Sequence, residues 1–215
     1  MKKILSLLLT LVLILSVAVP FGSAQSNQPE DGYTFSQEEI DQIIATLENE
    51  EVRKEIEDGL LLQPYINTSG TIIEFDDVKA LEDGLDPSLV QKVKEDYDRA
   101  NEILAEQQPQ FSTMAATLSS CGGATYFDGN WFGGIIYLDS CDANRAAAIV
   151  AGGGSITALV ALLPGGAAVA GIAVAVFGLG AALILYNNAE NTGVKINVVK
   201  NIANGDYVPY WIRPQ

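Results

Sequence analysis

A long stretch without one charged side chain, Ala146–Tyr186, is the feature that most constrains this 215-residue chain. Such a stretch has to be buried in a protein core or in a bilayer, because exposed apolar surface of that extent causes aggregation. Leu163-Pro164-Gly165-Gly166 interrupts it near its middle. Each side is about 20 residues long, which as a helix matches the roughly 30 Å hydrocarbon thickness of a bilayer. The sequence therefore predicts a helical hairpin with Pro164-Gly165-Gly166 at its tip.

The composition of this apolar stretch (residues 146–186) leaves two interpretations open. Gly and Ala make up about half of it, and they drive insertion less than Leu or Ile do. Small residues instead allow helices to approach closely, and Gly171 with Ala175 has the small-xxx-small spacing. One interpretation is conditional insertion into a membrane. The other is a buried core hairpin, covered by amphipathic helices such as 36–58 and 86–108. The candidate membrane-inserting residues are Ala146, Gly152, Pro164, Gly165, Gly166, Gly171 and Tyr186.

The N-terminal segment, 1–24, has the three-part pattern of an export signal. Lys2 and Lys3 precede an uncharged, Leu-rich stretch from Ile4 to Val19, and small residues end the segment at Ala24. This pattern predicts a secretory signal peptide, cleaved between Ala24 and Gln25. The alternative, an uncleaved membrane anchor, is less favoured because the apolar core is shorter than a typical spanning helix. We therefore expect a secreted, extracellular protein of bacterial type.

Charge divides the rest of the chain into two segments. Residues 25–108 hold 22 Asp and Glu against 6 Lys and Arg, whereas residues 109–215 hold 5 against 4. The sequence therefore predicts an acidic helical segment that resembles a pro-region (25–108) and a hydrophobic effector segment (111–215). The boundary between them is expected at Gln107–Gln110. Nucleic acid is not an expected partner, because phosphate binding requires clustered Lys and Arg.

The acidic segment contains two amphipathic helices with recognisable starts. Ser36 and Glu39 form a capping box, and apolar residues at helical spacing extend this helix to about Asp58. Asp86-Pro87 supplies an N-cap and a proline at the first helical position, and that helix runs to about Gln108. A short strand is predicted at Thr71–Phe75.

Two β-hairpins flank the apolar stretch. The first is predicted from Thr125 to Leu138, with a turn at Asp128-Gly129-Asn130 and a bulge at Gly133-Gly134. The second joins Val194–Val198 to Tyr207–Ile212 through the turn signal Asn204-Gly205, with Pro209 favouring an edge position. The predicted fold class is therefore mainly α with small β-hairpins, an α+β fold.

Cys121 and Cys141 are the two cysteines of the chain. In an exported protein an even pair favours a disulfide, here one that closes the first, aromatic hairpin. Unpaired or intermolecular thiols are the alternative.

The residues that catalysis or metal binding would need are poorly represented. The chain contains no His, which removes the commonest general base and most zinc sites. The acidic clusters Glu48–Glu51 and Glu74–Asp77 lack the spacing of a calcium loop and are typical of solvated helix faces. We therefore predict no catalytic, cofactor or metal residues.

The order of segments resembles secreted bacteriocin-like toxin precursors of Gram-positive bacteria. The sporulation-delaying killing-factor precursors and the geobacillin-type bacteriocins share this layout, carried here by Cys121-Gly122-Gly123, Cys141 and Ala146–Tyr186. The resemblance implies an antibacterial protein that permeabilises a target bacterial membrane, alone or as a homo-oligomer, with an immunity protein and a surface receptor as further partners. The near-neutral effector segment departs from cationic pore-formers and favours a receptor or direct partitioning. The alternative is a non-toxic secreted or cell-surface protein that binds a partner.

Overall fold

The computed structural model describes residues 32–68, 70, 72–111, 121–163, 169–202 and 205–215. It confirms the α+β class, because helices pack against an antiparallel sheet. The predicted signal peptide with its cleavage site Ala24–Gln25 lies outside the described residues. So do the predicted hairpin tip Pro164-Gly165-Gly166 and Asn204 of the second turn signal.

Short strands and amphipathic helices make up the acidic segment. Its elements are β1 (Tyr33–Thr34), α1 (Gln37–Leu47), α2 (Glu50–Leu62), β2 (Ile66–Asn67), β3 (Glu74–Phe75), α3 (Asp77–Glu82) and α4 (Pro87–Phe111), with a 3-10 turn at Gln63–Tyr65.

The capping signals predicted in this segment are present, but the first helix is divided. Ser36 and Glu39 form the capping box of α1, and the Asp86 carboxylate accepts from the first-turn amide of Ser88 at 2.7 Å. The single helix predicted for 36–58 is wrong, because Asn49 interrupts it. Its side chain accepts from the amide of Glu51 at 2.8 Å and so begins α2. Helix α3 was not predicted.

The described part of the apolar stretch forms four helices rather than two long arms, and the first of these helices begins before the stretch. They are α5 (Ser140–Ala151), α6 (Ile156–Leu162), α7 (Val169–Leu179) and α8 (Ala181–Asn187). The first break follows from Gly153, whose φ of 67° ends α5, and from Ser155, whose side chain accepts from the amide of Ala158 and begins α6. The break between α7 and α8 lies at Gly180, with a φ of 85°.

These breaks shorten the helices below membrane-spanning length. In the described part of the chain, no single helix is long and apolar enough to cross a bilayer. By length and composition, Val169–Gly178 and Ala181–Asn187 meet the requirement only as a pair, with a bend of 105° between them.

The two predicted hairpins join β1 in one five-stranded antiparallel sheet of order β1-β7-β6-β5-β4. The new strands are β4 (Tyr126–Asn130), β5 (Gly133–Leu138), β6 (Val194–Lys200) and β7 (Tyr207–Pro214).

Local details of the sheet differ from the prediction at three points. The first hairpin turns at Trp131-Phe132 instead of Asp128–Asn130, because β4 continues in register with β5 to Asn130. The pairings of β5 show no register shift at Gly133-Gly134; the irregularity lies at Asn197/Val198, opposite Pro209. Pro209 therefore lies at a bulge of β7. This strand has β6 on one side and β1 on the other, but β1 pairs with Trp211 and Ile212 and not with Pro209.

Both segments contribute to one hydrophobic core. Helix α2 packs on α6, α4 on α5, and α1 on α7, while α7 also packs on β7 of the sheet. The core joins Leu62 and Tyr97 of the acidic segment to Leu159 and Ile172 of the apolar stretch, each at most 1% exposed. In this conformation all of α6 and most of the described residues of α5 and α7 are therefore buried, and α4 stays helical across Gln107–Gln110. The role of residues 25–108 as a pro-region stays a prediction.

Two glycines allow backbones to approach where a side chain would collide. A Cβ at Gly59 in α2 would lie 2.6 Å from the carbonyl oxygen of Thr157 and 2.8 Å from Cβ of Val160. A Cβ at Gly171 in α7 would overlap the carbonyl oxygen of Tyr207. Gly171, expected at a helix–helix interface, therefore lets α7 lie directly against β7.

We expect Gly59→Ala to lower the free energy of unfolding by about 1–3 kcal/mol, because the added methyl group forces α2 away from α6. The matched control is Gly178→Ala in α7, where a Cβ meets nothing within 4 Å. It should raise the free energy of unfolding by up to about 1 kcal/mol through helix propensity. Urea denaturation followed by circular dichroism measures both. Equal stability of Gly59→Ala and wild type would contradict the close α2–α6 contact.

Candidate functional site

The candidate site consists of the apolar stretch and the side chains that hold it in the core. Helix α6 is its centre, since all of its residues are buried. A helix leaves unpaired amide groups at its start and unpaired carbonyl groups at its end, and burial makes these groups costly unless they find partners. In α6 the partners come from the acidic segment.

The start of α6 is bound by Asp96 of α4. One carboxylate oxygen accepts from the backbone amide of Ser155 at 2.9 Å and from its hydroxyl at 2.6 Å. Arg99 pairs with the other oxygen and donates through Nε to the carbonyl of Gly152 at 3.1 Å. The side chain of Asp96 is only 5% exposed. A charged acceptor at a buried helix start is stabilised both by these hydrogen bonds and by the helix dipole.

The middle and end of α6 are bound by two more side chains of the acidic segment. The Tyr97 hydroxyl donates to the carbonyl of Ala158 at 2.9 Å. Complete burial, together with the nearby charge of Asp96, raises the pKa of Tyr97 far above its usual value, so this hydroxyl stays a donor. Gln63 donates through Nε2 to the carbonyls of Val160 at 3.1 Å and Leu163 at 2.8 Å. Uncovering α6 therefore requires breaking hydrogen bonds as well as exposing apolar surface.

A second buried polar cluster lies at the start of α5. Arg145, 1% exposed, donates to Asp142 at 2.6 Å and also to the carbonyl of Gly70. The other oxygen of Asp142 accepts from the Thr125 hydroxyl at 2.6 Å. Burial raises the pKa of Asp142, against the opposing effects of Thr125 and Arg145. Both carboxylate oxygens are engaged, so the cluster links α5 to the acidic segment instead of presenting a free acid or base.

The predicted disulfide between Cys121 and Cys141 is present and ties the chain before β4 to the first turn of α5. Gly122 reinforces this link: its amide donates to the Ser140 hydroxyl and its carbonyl accepts from the Ser140 amide, both at 2.8 Å. Asp139 lies close to both sulfur atoms. This group is a poor candidate metal site, because sulfurs bonded to each other are not thiolate ligands.

The described ones among the predicted membrane-inserting residues do not share one surface. Ala146 is fully buried in α5. Gly152 follows the last residue of that helix, and its carbonyl accepts a hydrogen bond from Arg99. Gly171 faces β7. Tyr186 is 45% exposed on α8. Sequence reasoning missed the side chains that hold α6, because no spacing signal connects residues so far apart in the chain. The Asp142–Arg145 pair did have a signal, namely opposite charges at helical i,i+3 spacing.

The recess between α1 and α7 offers little for chemistry. It has a volume of about 190 Å³ and is lined mainly by apolar side chains such as Ile43, Val174 and Phe177. Glu39 is the titratable residue among the described lining residues, and its hydrogen bonds to Tyr33 and Ser36 lower its pKa. A single carboxylate occupied in a capping box does not form an acid–base pair.

The chain matches no protein-family model, no curated protein and no solved structure. The geometry and composition described above therefore carry the functional argument.

We expect Asp96→Ala to lower the free energy of unfolding by about 2–3 kcal/mol, because it leaves the amide and hydroxyl of Ser155 buried without their acceptor. Asp98→Ala is the matched control on the same helix. Asp98 is 60% exposed and pairs with Lys94 at the surface, so its loss should cost less than about 0.5 kcal/mol. Urea denaturation of both variants decides the point. Similar losses in the two variants would show that Asp96 does not fix the start of α6.

Proposed function

We propose that this chain is a secreted antibacterial protein of the bacteriocin kind, which permeabilises target membranes with the helices of its apolar stretch. The observation that supports this most is the way α6 and α7 are held. They carry no charge, all residues of α6 and those of α7 from Val169 to Val176 are buried, and the acidic segment covers them and binds the backbone of α6. Such an arrangement suits a membrane-active segment that has to be kept folded in water.

In this proposal the acidic segment acts as a solubilising pro-region. Apart from buried Asp96, its described carboxylates lie at least partly at the surface, and its apolar faces cover α5, α6 and α7. Once released from this cover, α7 and α8 together have the length and composition to cross a bilayer. Helices satisfy their backbone hydrogen bonds internally, and their many Gly and Ala residues allow close packing, including packing between copies of the chain.

The proposed partners follow from charge. The effector segment is nearly neutral, so electrostatic attraction to anionic lipid supplies little of its targeting. Direct partitioning or a surface receptor brings it to the target membrane. A producing cell would protect itself with an immunity protein that recognises the effector segment.

A second candidate is a non-toxic secreted or cell-surface protein that binds a partner. The shared core favours it, because an apolar stretch that completes the core of a stable domain needs no membrane. The two candidates differ in one measurable property, which is the release of contents from lipid vesicles.

We expect Phe177→Lys to reduce dye release from vesicles and growth inhibition of related bacteria while the fold stays intact. Phe177 lies in α7 and is 38% exposed, so a lysine there keeps its ammonium group in water in the folded chain. At the centre of a bilayer the same charge costs about 3 kcal/mol. Val174, only 4% exposed, is unsuitable because a charge there would disrupt the core.

The matched control is Leu61→Lys in α2, 61% exposed and outside the apolar stretch. It should leave dye release and growth inhibition unchanged, and circular dichroism should show wild-type helicity in both variants. If the folded, fully processed wild type releases no dye and inhibits no strain in a broad panel, the partner-binding candidate replaces the toxin. If Phe177→Lys is as active as Leu61→Lys, α7 does not enter the membrane.

A further inference from the structure

Two neighbouring turns at one end of the sheet carry unusually exposed apolar side chains. Trp131 is 78% exposed and Phe132 72% exposed in the turn between β4 and β5, and Ile202, after β6, is 94% exposed. The turns are joined where the amide of Lys200 donates to the carbonyl of Phe132 at 2.8 Å. We call Trp131, Phe132, Lys200 and Ile202 the aromatic tip.

Hydrogen bonds hold the backbone of the tip in place. The amide of Phe132 donates to the Asn130 side chain at 2.8 Å, which fixes the first turn. In the second turn, the amide of Asn201 donates to the carbonyl of Asp206 at 2.7 Å. The amide of Gly205 donates to the carbonyl of Asn201 at 2.8 Å. The apolar side chains are therefore exposed on a structured support, and the support would keep them together in contact with a partner.

Lys200 is the charged residue of the aromatic tip. The ammonium group of Lys200 lies 5.0 Å from the centre of the Trp131 ring and 5.7 Å from that of Tyr207. Asp206, the acidic residue of the second turn, pairs with Arg53 at 3.2 Å. The many other carboxylates of the chain belong mostly to the acidic segment. A tryptophan beside a lysine is the pairing typical of a lipid interface, where the ring lies among the headgroups and the ammonium group reaches phosphate.

We propose that the aromatic tip binds the headgroup region of a lipid bilayer while the chain is still folded. Trp131, Phe132 and Ile202 enter the boundary between headgroups and acyl chains, and Lys200 contacts lipid phosphate. The geometry favours lipid over a protein partner, because two convex turns fit a fluid interface without a complementary pocket. This inference goes beyond the proposed function, since it requires neither release of the acidic segment nor insertion of α7.

Tryptophan fluorescence can test the contact directly. The chain has two tryptophans, Trp131 and Trp211, so Trp211→Phe leaves Trp131 as the reporter. With vesicles of phosphatidylcholine, with and without phosphatidylglycerol, the emission of Trp131 should shift to shorter wavelength and be quenched by brominated acyl chains. Lys200→Gln should weaken binding to both kinds of vesicle, because both lipids carry the phosphate that its ammonium group contacts.

Substitutions at the tip locate the contact. In the Trp211→Phe background, Phe132→Ser and Ile202→Ser together should weaken partitioning about tenfold or more, because two anchoring side chains are lost. The control Val78→Ser removes a side chain that is 61% exposed on α3 and should leave partitioning unchanged. Circular dichroism should show the same fold in every variant.

Three outcomes would overturn the proposal. One is a Trp131 emission that no vesicle changes, and another is a shift that Phe132→Ser with Ile202→Ser leaves intact. The third is a chain that dimerises in solution, becomes monomeric with these substitutions and ignores lipid, since the tip is then a self-association surface. Phe177→Lys does not alter the tip, so it should keep the Trp131 shift even where dye release is lost. The two proposals can therefore fail separately.

Discussion

The fold depends on hydrogen-bond partners for the backbone of α6, a helix whose residues are all buried. Helix α6 lies between α2, α4, α5 and α7, and its own side chains contribute little polarity. Asp96 and Tyr97, neighbours in α4, and Gln63, in the turn after α2, supply hydrogen-bond partners to its backbone. Because an unpaired buried amide or carbonyl costs about 1–3 kcal/mol, these contacts select one arrangement of helices from the many that apolar packing alone would tolerate.

The charged residues and the long apolar stretch lie in different parts of the sequence, but the two parts pack together in the fold. Amphipathic helices rich in carboxylates supply an outer surface, and a stretch of Gly, Ala, Val and Leu supplies an interior. The excess negative charge favours solubility and opposes association between copies, whereas the inner contacts that recognise α6 are few and specific. Solubility and recognition are therefore carried by different faces of the same helices.

Local features of this fold could be predicted from the sequence, and long-range ones could not. Ser36 with Glu39, Asp86 with Pro87 and the paired cysteines act over short distances in the chain or follow a general rule, and each of these predictions is confirmed. Other local features depend on competition between neighbouring signals and on packing. They are the break at Asn49, the division of the apolar stretch at Gly153 and Ser155, and the turn at Trp131-Phe132. The partners of α6 depend on contacts between segments far apart in the chain, which spacing cannot reveal.

The pairing of β1 with β7 has a consequence for the order in which the fold is completed. Tyr33 and Ile212 are register partners, so the sheet joins the first and last of the described elements. We expect a contact between residues so far apart in the chain to form late, because closing such a long loop costs conformational entropy. In a chain that emerges N-terminus first, the acidic helices are already available when the apolar stretch appears, which limits its exposure. Until β1 pairs, this edge of β7 stays open, and the pairing with Tyr33 and Thr34 then covers part of it.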